Sequence, residues 1–334
     1  MSAIANSISR LSSVPALYNT SDRIPEENII KPKILFNDFV IEYLVRNAKR
    51  RSENYKRMYL NMLNQVDDFC KKNGIRNLYT NDIDMEFCEN FVCYLQADRN
   101  LMQNTIKGTL EKLHAMLHKA ALRGYPVNNT HDEVNISEEE VGAVYLSEED
   151  ITRLYYFKGL TRFQQEVLDH FIIGCCTGLR YSDYSRLNES NFDRESNFIT
   201  IKTKKTGVVI TVPMHKFVRT ILKKYDYNLP KPRCNQYFNV AIKNICKKVG
   251  FVEPILWERT VGNKVVIKSM QKWEMISSHT ARRSFATNMF LRKDIPVQRI
   301  MMITGHRSDR SFMKYIRVTR EENAFTLQGH PFFQ

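Results

Sequence analysis

The chain has 334 residues, 43% of them hydrophobic, long enough for two domains with buried cores and too apolar for a disordered chain. Its 50 Lys and Arg against 36 Asp and Glu leave a formal charge of +14, which points to a polyanion, nucleic acid before anything else. No apolar run is long enough to span a bilayer, and the Ser-rich start "MSAIANSISRLSSVPALYNTSD" lacks the continuous apolar core of a signal peptide. A cytoplasmic, nucleoid-associated protein with no membrane attachment is therefore expected.

Residues 1–34 read as a flexible arm, punctuated by Ser, Asn and Pro without helical phase. Residues 35–127 read as four helices with short links, a small bundle. The first places Ile34, Phe36, Phe39, Val40, Tyr43 and Leu44 at spacings of three and four. The second runs from an N-cap at Ser52 to a stop at Gly74, and the third covers "DIDMEFCENFVCYLQAD". The fourth carries Ile106, Leu110, Leu113, Leu117 and Ala121 on one stripe.

Between the first two helices lies "RNAKRRSENYKR", in which Arg46, Lys49, Arg50, Arg51, Lys56 and Arg57 are basic. Such a run ordinarily marks a solvated face. In a chain this basic, and beside a helix start, it is read as a contact with the DNA backbone. Lys107, in the first turn of the fourth helix, is placed to add a phosphate contact, and Lys204 in the second domain is a further expected DNA contact.

Residues 128–144 turn acidic and polar and read as a linker. The second domain, 145–334, opens with a helix capped by Ser147 and Asp150 and mixes helices with strands. "TRFQQEVLDHFIIGCCTGLR" is an apolar helix ending at Gly178, and "NFITIKTKKTGVVITVPM" is a two-stranded hairpin about "KKTG". Helices are expected near 215–226 and 234–248, followed by a second hairpin turning at Gly262-Asn263. Three final helices, broken at Pro296 and Gly305, end with "SDRSFMKYIRVT".

Seven cysteines, Cys70, Cys88, Cys93, Cys175, Cys176, Cys234 and Cys246, form no CxxC pair and read as reduced thiols. Nothing resembles the paired Cys/His spacing of a zinc site, so no metal is expected.

Four basic features stand out in the second domain, each weak alone. Arg180 follows the helix-ending Gly178, with Asp183 three residues on to hold its guanidinium. Lys204 and Lys205 sit in the hairpin turn, where a lysine has the mobile reach of a proton donor. His279 and Arg282 lie three apart at a helix N-terminus, already favourable to phosphate. His306 follows Gly305, and Tyr315 comes nine residues later; a tyrosine, with its pKa near ~10, needs surrounding positive charge to act as a nucleophile.

The order Arg180, Lys205, His279-x-x-Arg282, His306, Tyr315 resembles the tyrosine recombinase (phage integrase) family. "TGLRYSD" is similar to that family's first arginine box, "TKKTGVVITVP" to its lysine hairpin and "HTARRSFAT" to its His-x-x-Arg box. "TGHRSDRSFMKYIR" is similar to its Gly-His box and nucleophile. The likeness is strong over 145–320 and looser over the bundle, and its style resembles integrases of Bacteroides-type mobile elements. Asp183 stands where the family commonly has Glu.

The resemblance implies a mainly α fold with small β-hairpins: an N-terminal helical core-binding (SAM-like) bundle and a mixed α/β catalytic domain. It implies a site-specific recombinase that cuts and rejoins DNA through a 3′-phosphotyrosyl bond on Tyr315. Arg180 and Arg282 would neutralise the phosphate and Lys205, with Lys204 its rival, would protonate the leaving oxygen. His279 would assist proton transfer, and His306 would hydrogen-bond the phosphate. No cofactor, ATP or metal is implied. The implied partners are double-stranded DNA, a homotetramer on paired sites and, as an optional addition, an accessory DNA-bending protein. Only about 34 residues precede the bundle, where many mobile-element relatives carry a further DNA-binding domain, so a simpler recombinase or invertase is expected. The alternatives are a type IB topoisomerase-like relaxation activity and a catalytically silent DNA-binding protein. The tail "TREENAFTLQGHPFFQ" is expected either to dock on a neighbouring protomer or to pack on its own chain.

Overall fold

The computed structural model describes residues 31–232 and 234–318, with residues 324, 327, 328 and 331–333. Nearly all of the expected arm and most of the tail lie outside the described residues. The chain divides into two compact units, each with its own core: the chain up to Val141 with Glu258–Ile267, and Gly142–Trp257 with Lys268 onward.

In the first unit, α1 (Phe36–Arg46) buries Phe36, Phe39, Val40, Tyr43 and Leu44 along one stripe. The Ser52 hydroxyl accepts from Tyr55 N–H at 3.2 Å to start α2 (Glu53–Lys72). Asp84 accepts from Phe87 N–H at 2.8 Å to start α3 (Met85–Ala97). In α4 (Gln103–Ala121) the buried stripe runs through Ile106, Leu110, Leu113 and Leu117 and closes at Ala120. Ala121, expected on that stripe, is exposed, because the last step of the 3.6-residue period is three residues and not four.

The acidic stretch after α4 folds back onto this bundle. A 3₁₀ turn, Asn129–Glu133, buries His131. The Asn104 side chain then exchanges two 2.8 Å hydrogen bonds with the backbone of Glu139.

The second unit begins with α5 (Glu148–Tyr156), capped reciprocally by Ser147 and Asp150. Its core is centred on α6 (Arg162–Thr177), buried on nearly every side over its last ten residues. After the single turn α7 (Tyr181–Tyr184) come β1 (Phe192–Asp193), β2 (Phe198–Lys202) and β3 (Val209–Pro213). The expected hairpin thus gains a short third strand, Phe192 pairing with Ile199 in an antiparallel sheet of order β1-β2-β3. Alternation buries Ile199, Ile201, Ile210 and Val212 on one face.

Helices α8 (Lys216–Lys224) and α9 (Asn235–Val249) follow, then the hairpin β4 (Pro254–Val261) and β5 (Lys264–Gln271). The tip of that hairpin belongs to the first unit, where Gly262 N–H donates to Leu101 O at 2.8 Å. The short α10 (Lys272–Met275) leads into α11 (Ser278–Leu291), which packs along α6. Last come α12 (Val297–Thr304) and α13 (Asp309–Met313). They cover a small separate core of Phe285, Ala286, Ile300 and Phe312, against which Tyr315 rests.

The final helix is shorter than its periodicity implies. It stops at Met313, and Tyr315 lies in the turn beyond, with its N–H bonded to Phe312 O at 2.8 Å. Thr287 on α11 explains the break: its Oγ1 donates to Tyr315 O at 3.3 Å and accepts from Arg317 N–H at 3.2 Å, drawing the chain out of helical phase.

Candidate active site

The site is built where α6 ends against α11. Gly178 terminates α6 in the left-handed region (φ 66°), and a Cβ there would stand 2.4 Å from the Phe285 ring, so only glycine fits. This turn aims the Gly178 carbonyl at Arg282, one helical turn inside α11. Arg282 is 1% exposed, and its Nη1 donates to Gly178 O at 2.8 Å. Its Nη2 donates to Thr304 O at 2.5 Å and to His306 Nε2 at 2.9 Å. Three backbone and side-chain acceptors, at the C-terminal ends of α6 and α12, therefore fix one guanidinium.

The same contacts fix His306. Thr304 Oγ1 donates to Ile300 O at 2.8 Å, so at 2.8 Å from His306 Nδ1 it serves as an acceptor. This network places the imidazole proton on Nδ1 and leaves Nε2 to accept from Arg282. Burial, then Arg282 and Arg180, push the His306 pKa down to about 3, so the ring is neutral at physiological pH.

Tyr315 stands over this pair. Its ring centroid lies 4.8 Å from that of His306, and Arg282 Cζ lies 5.1 Å from it. Burial and the repulsion of Arg180 hold the Arg282 pKa down to about 10. Arg180 Nη1 and Arg282 Nε are buried donors with no hydrogen-bond partner among the described residues. Two guanidiniums that repel each other and keep buried N–H groups unpaired make an anion site, since a bound anion removes both penalties.

His279 sits in the first turn of α11 and remains exposed. Local desolvation, then Arg283, Arg282, Arg180 and Lys205, lower its pKa. Lys204 and Lys205 both project from an exposed turn between β2 and β3, and neither has an ion pair among the described residues.

Asp183 does not hold Arg180, as the sequence led one to expect. Its fully buried carboxylate accepts from Lys204 N–H at 2.8 Å and pairs with Arg186 at 3.3 Å. Arg180 is the N-cap of α7 with extended backbone (φ −72°, ψ 153°), so it does not share the helix face of Asp183, whereas Arg186, in the turn after α7, reaches its carboxylate. Asp183 thus anchors the lysine turn.

Arg180, His279, Arg282, His306 and Tyr315 converge, with Lys205 at the margin. Of the expected DNA contacts, Lys204 lies in this unit, in the lysine turn, and Arg46, Lys49, Arg50, Arg51, Lys56, Arg57 and Lys107 lie in the other. Arg46 pairs with Glu42 at 2.7 Å, Lys56 with Glu53 at 2.5 Å and Lys107 with Glu111 at 3.0 Å. Arg57 bonds Asn54 at 2.7 Å, and Arg51 lies 4.8 Å from the Tyr55 ring. Lys49 and Arg50 are exposed in the turn after α1 without an ion pair among the described residues.

The sequence profile of the phage integrase SAM-like domain matches residues 35–136, and that of the phage integrase family matches residues 145–322. The chain belongs to the phage integrase family. This integrase-family chain is 26% identical over 176 residues to tyrosine recombinase XerA of Pyrococcus furiosus, a match covering 52% of the chain and 57% of that relative. Its fold is that of the Tn1549 transposon integrase in complex with circular intermediate DNA (TM-score 0.61, 15% identity, 88% of this chain and 99% of that one). It is also that of XerH recombinase bound to a palindromic difH substrate (TM-score 0.64, 16% identity, 86% and 83%). A lambda integrase tetramer bound to a Holliday junction is similar as well (TM-score 0.58, 15% identity, 92% and 87%). No helix among the described residues is long and apolar enough to cross a membrane.

Sequence reading missed Thr304, Thr287 and Arg186. Thr304 stands two residues before His306 and was visible as a hydroxyl beside an imidazole. The other two act through tertiary contacts that no spacing announces.

Proposed function

We propose that this chain is a site-specific DNA recombinase that cuts and rejoins duplex DNA through a 3′-phosphotyrosyl intermediate. The observation that carries this reading is the pair of buried, unpaired guanidinium donors on Arg180 and Arg282 beside the Tyr315 ring. A phosphodiester seated there would accept from both as negative charge grows in the transition state.

Tyr315 Oη attacks the scissile phosphorus, and the bond to the 5′-oxygen breaks. Lys205 gives that oxygen its proton, with Lys204 beside it in the same exposed turn as the rival donor. His279, kept unprotonated at neutral pH, assists removal of the tyrosine proton. A 5′-hydroxyl from a second strand then attacks the phosphotyrosine, restoring the tyrosine, so one phosphodiester replaces another. In this structure His306 Nε2 is an acceptor that orients Arg282. Donating to phosphate requires its proton to move from Nδ1 to Nε2, with Thr304 turning its hydroxyl to donate at Nδ1.

Four copies acting on two sites complete the reading, in keeping with the tetrameric lambda integrase on a Holliday junction. Arg46, Lys49, Arg50, Arg51, Lys56, Arg57 and Lys107 contact the DNA backbone; of these Lys49 and Arg50 are the least committed to protein partners. The test is a nicked duplex carrying the chain's own site, from which the released fragment diffuses away. Wild type is expected to accumulate an SDS-stable protein–DNA adduct and Tyr315→Phe none; adduct formation by both proteins would overturn the reading.

A further inference from the structure

The first unit carries a cluster that DNA cleavage does not use. His114 on α4 and His131 and Asp132 on the 3₁₀ turn each offer one ligand atom, and these atoms lie within 4.8 Å of one another. His131 Nδ1 lies 2.9 Å and His114 Nδ1 3.8 Å from the same Asp132 oxygen. A tetrahedral metal with bonds of about 2.1 Å holds its ligand atoms about 3.4 Å apart, so the three atoms need only small shifts to share one ion.

Two further observations point to a ligand. The His131 side chain is 4% exposed, and its Nδ1 has no hydrogen bond among the described residues, because its contact with Asp132 lacks hydrogen-bond geometry. A polar atom buried in that way calls for a partner. His114 also has its other nitrogen, Nε2, 3.9 Å from Cys88 Sγ on α3. A proton on Nε2 directed at the sulfur leaves the Nδ1 lone pair facing His131 and Asp132, as a supported metal-binding imidazole requires.

We propose that His114, His131 and Asp132 bind one divalent transition-metal ion of the zinc, cobalt or nickel type. Two imidazoles and a carboxylate select these ions over magnesium and calcium, which favour oxygen ligands alone. Asp132 is 67% exposed, so water completes the coordination from the solvent side. The ion would clip the 3₁₀ turn to α4 across 16 intervening residues and stabilise the bundle, apart from the chemistry at Tyr315. The ligands match no Cys/His spacing motif, which is why the sequence promised no metal.

The test uses the full chain without an affinity tag, stripped with a chelator and titrated with Co²⁺ by visible absorption, then with Zn²⁺ in competition. One equivalent with micromolar or tighter affinity, and a melting temperature raised by Zn²⁺, are expected. Asp132→Asn, at an exposed side chain, is expected to weaken binding by about tenfold or more, and His131→Gln likewise. His118→Gln, at an exposed histidine one turn further along α4, is expected to leave it unchanged. Absence of saturable Co²⁺ binding in the micromolar range, or an Asp132→Asn protein that binds as wild type does, would overturn the proposal; the two histidines would then be packed neutral side chains.

Discussion

Thr304 is uncharged and fully buried, yet its hydroxyl is the partner of His306 Nδ1 at 2.8 Å. Replacing it with Val removes the acceptor at Nδ1 while keeping the shape. Cleavage of the nicked duplex by Thr304→Val is expected to slow about tenfold, corresponding to about 1.4 kcal/mol, the scale of one hydrogen bond. Thr304→Ser is expected to restore the rate in single-turnover measurements, and a Val protein as fast as wild type would remove Thr304 from the mechanism. At this scale the sequence was informative about identity and less so about role. Arg, His and Tyr in one fixed order are legible because phosphate chemistry admits few substitutes. The partner of Asp183 was not legible, since a spacing of three implies a shared face only if both residues are helical, and Arg180 is extended.

Among elements, the junction of α6 with α11 carries the site. Gly178→Ala would force a left-handed backbone on alanine and drive a methyl to within 2.4 Å of the Phe285 ring. A loss of about 2 kcal/mol or more in denaturant unfolding is expected, along with displacement of the carbonyl that holds Arg282. An unchanged midpoint would show that the turn relaxes freely. Long amphipathic helices such as α2 and α4 were legible because their stripes persist over many turns. The end of α13 was not, because apolar periodicity continues past Met313 while the tether from Thr287, remote in sequence, pulls the chain away. The two-residue β1 was invisible for a related reason: a strand that short has no alternation to read.

Over the whole molecule, six histidines, His114, His131, His170, His215, His279 and His306, have pKa values lowered in the fold, with desolvation the largest cause for each. The unfolded chain then binds more protons than the folded one below about pH 6.5, so stability is complete above that value and declines as pH falls. Thermal melts are expected to show this decline, and His306→Asn a shallower one; a pH-independent melting temperature between 7 and 5 would contradict these charge states. The formal charge of +14 also makes DNA affinity salt-dependent. Replacing both Lys49 and Arg50 with Ala is expected to reduce the slope of log K against log salt by about 2 in binding titrations, if each neutralises one phosphate. A slope equal to wild type would place that turn away from the DNA.

Tyr315 is the residue proposed to form the bond to DNA. Trypsin digestion of the trapped adduct followed by mass spectrometry addresses it directly, because cleavage after Lys314 and Arg317 isolates Tyr315 in a short peptide. A nucleotide attached to Tyr315 is the expected result; a nucleotide on any other residue would contradict it.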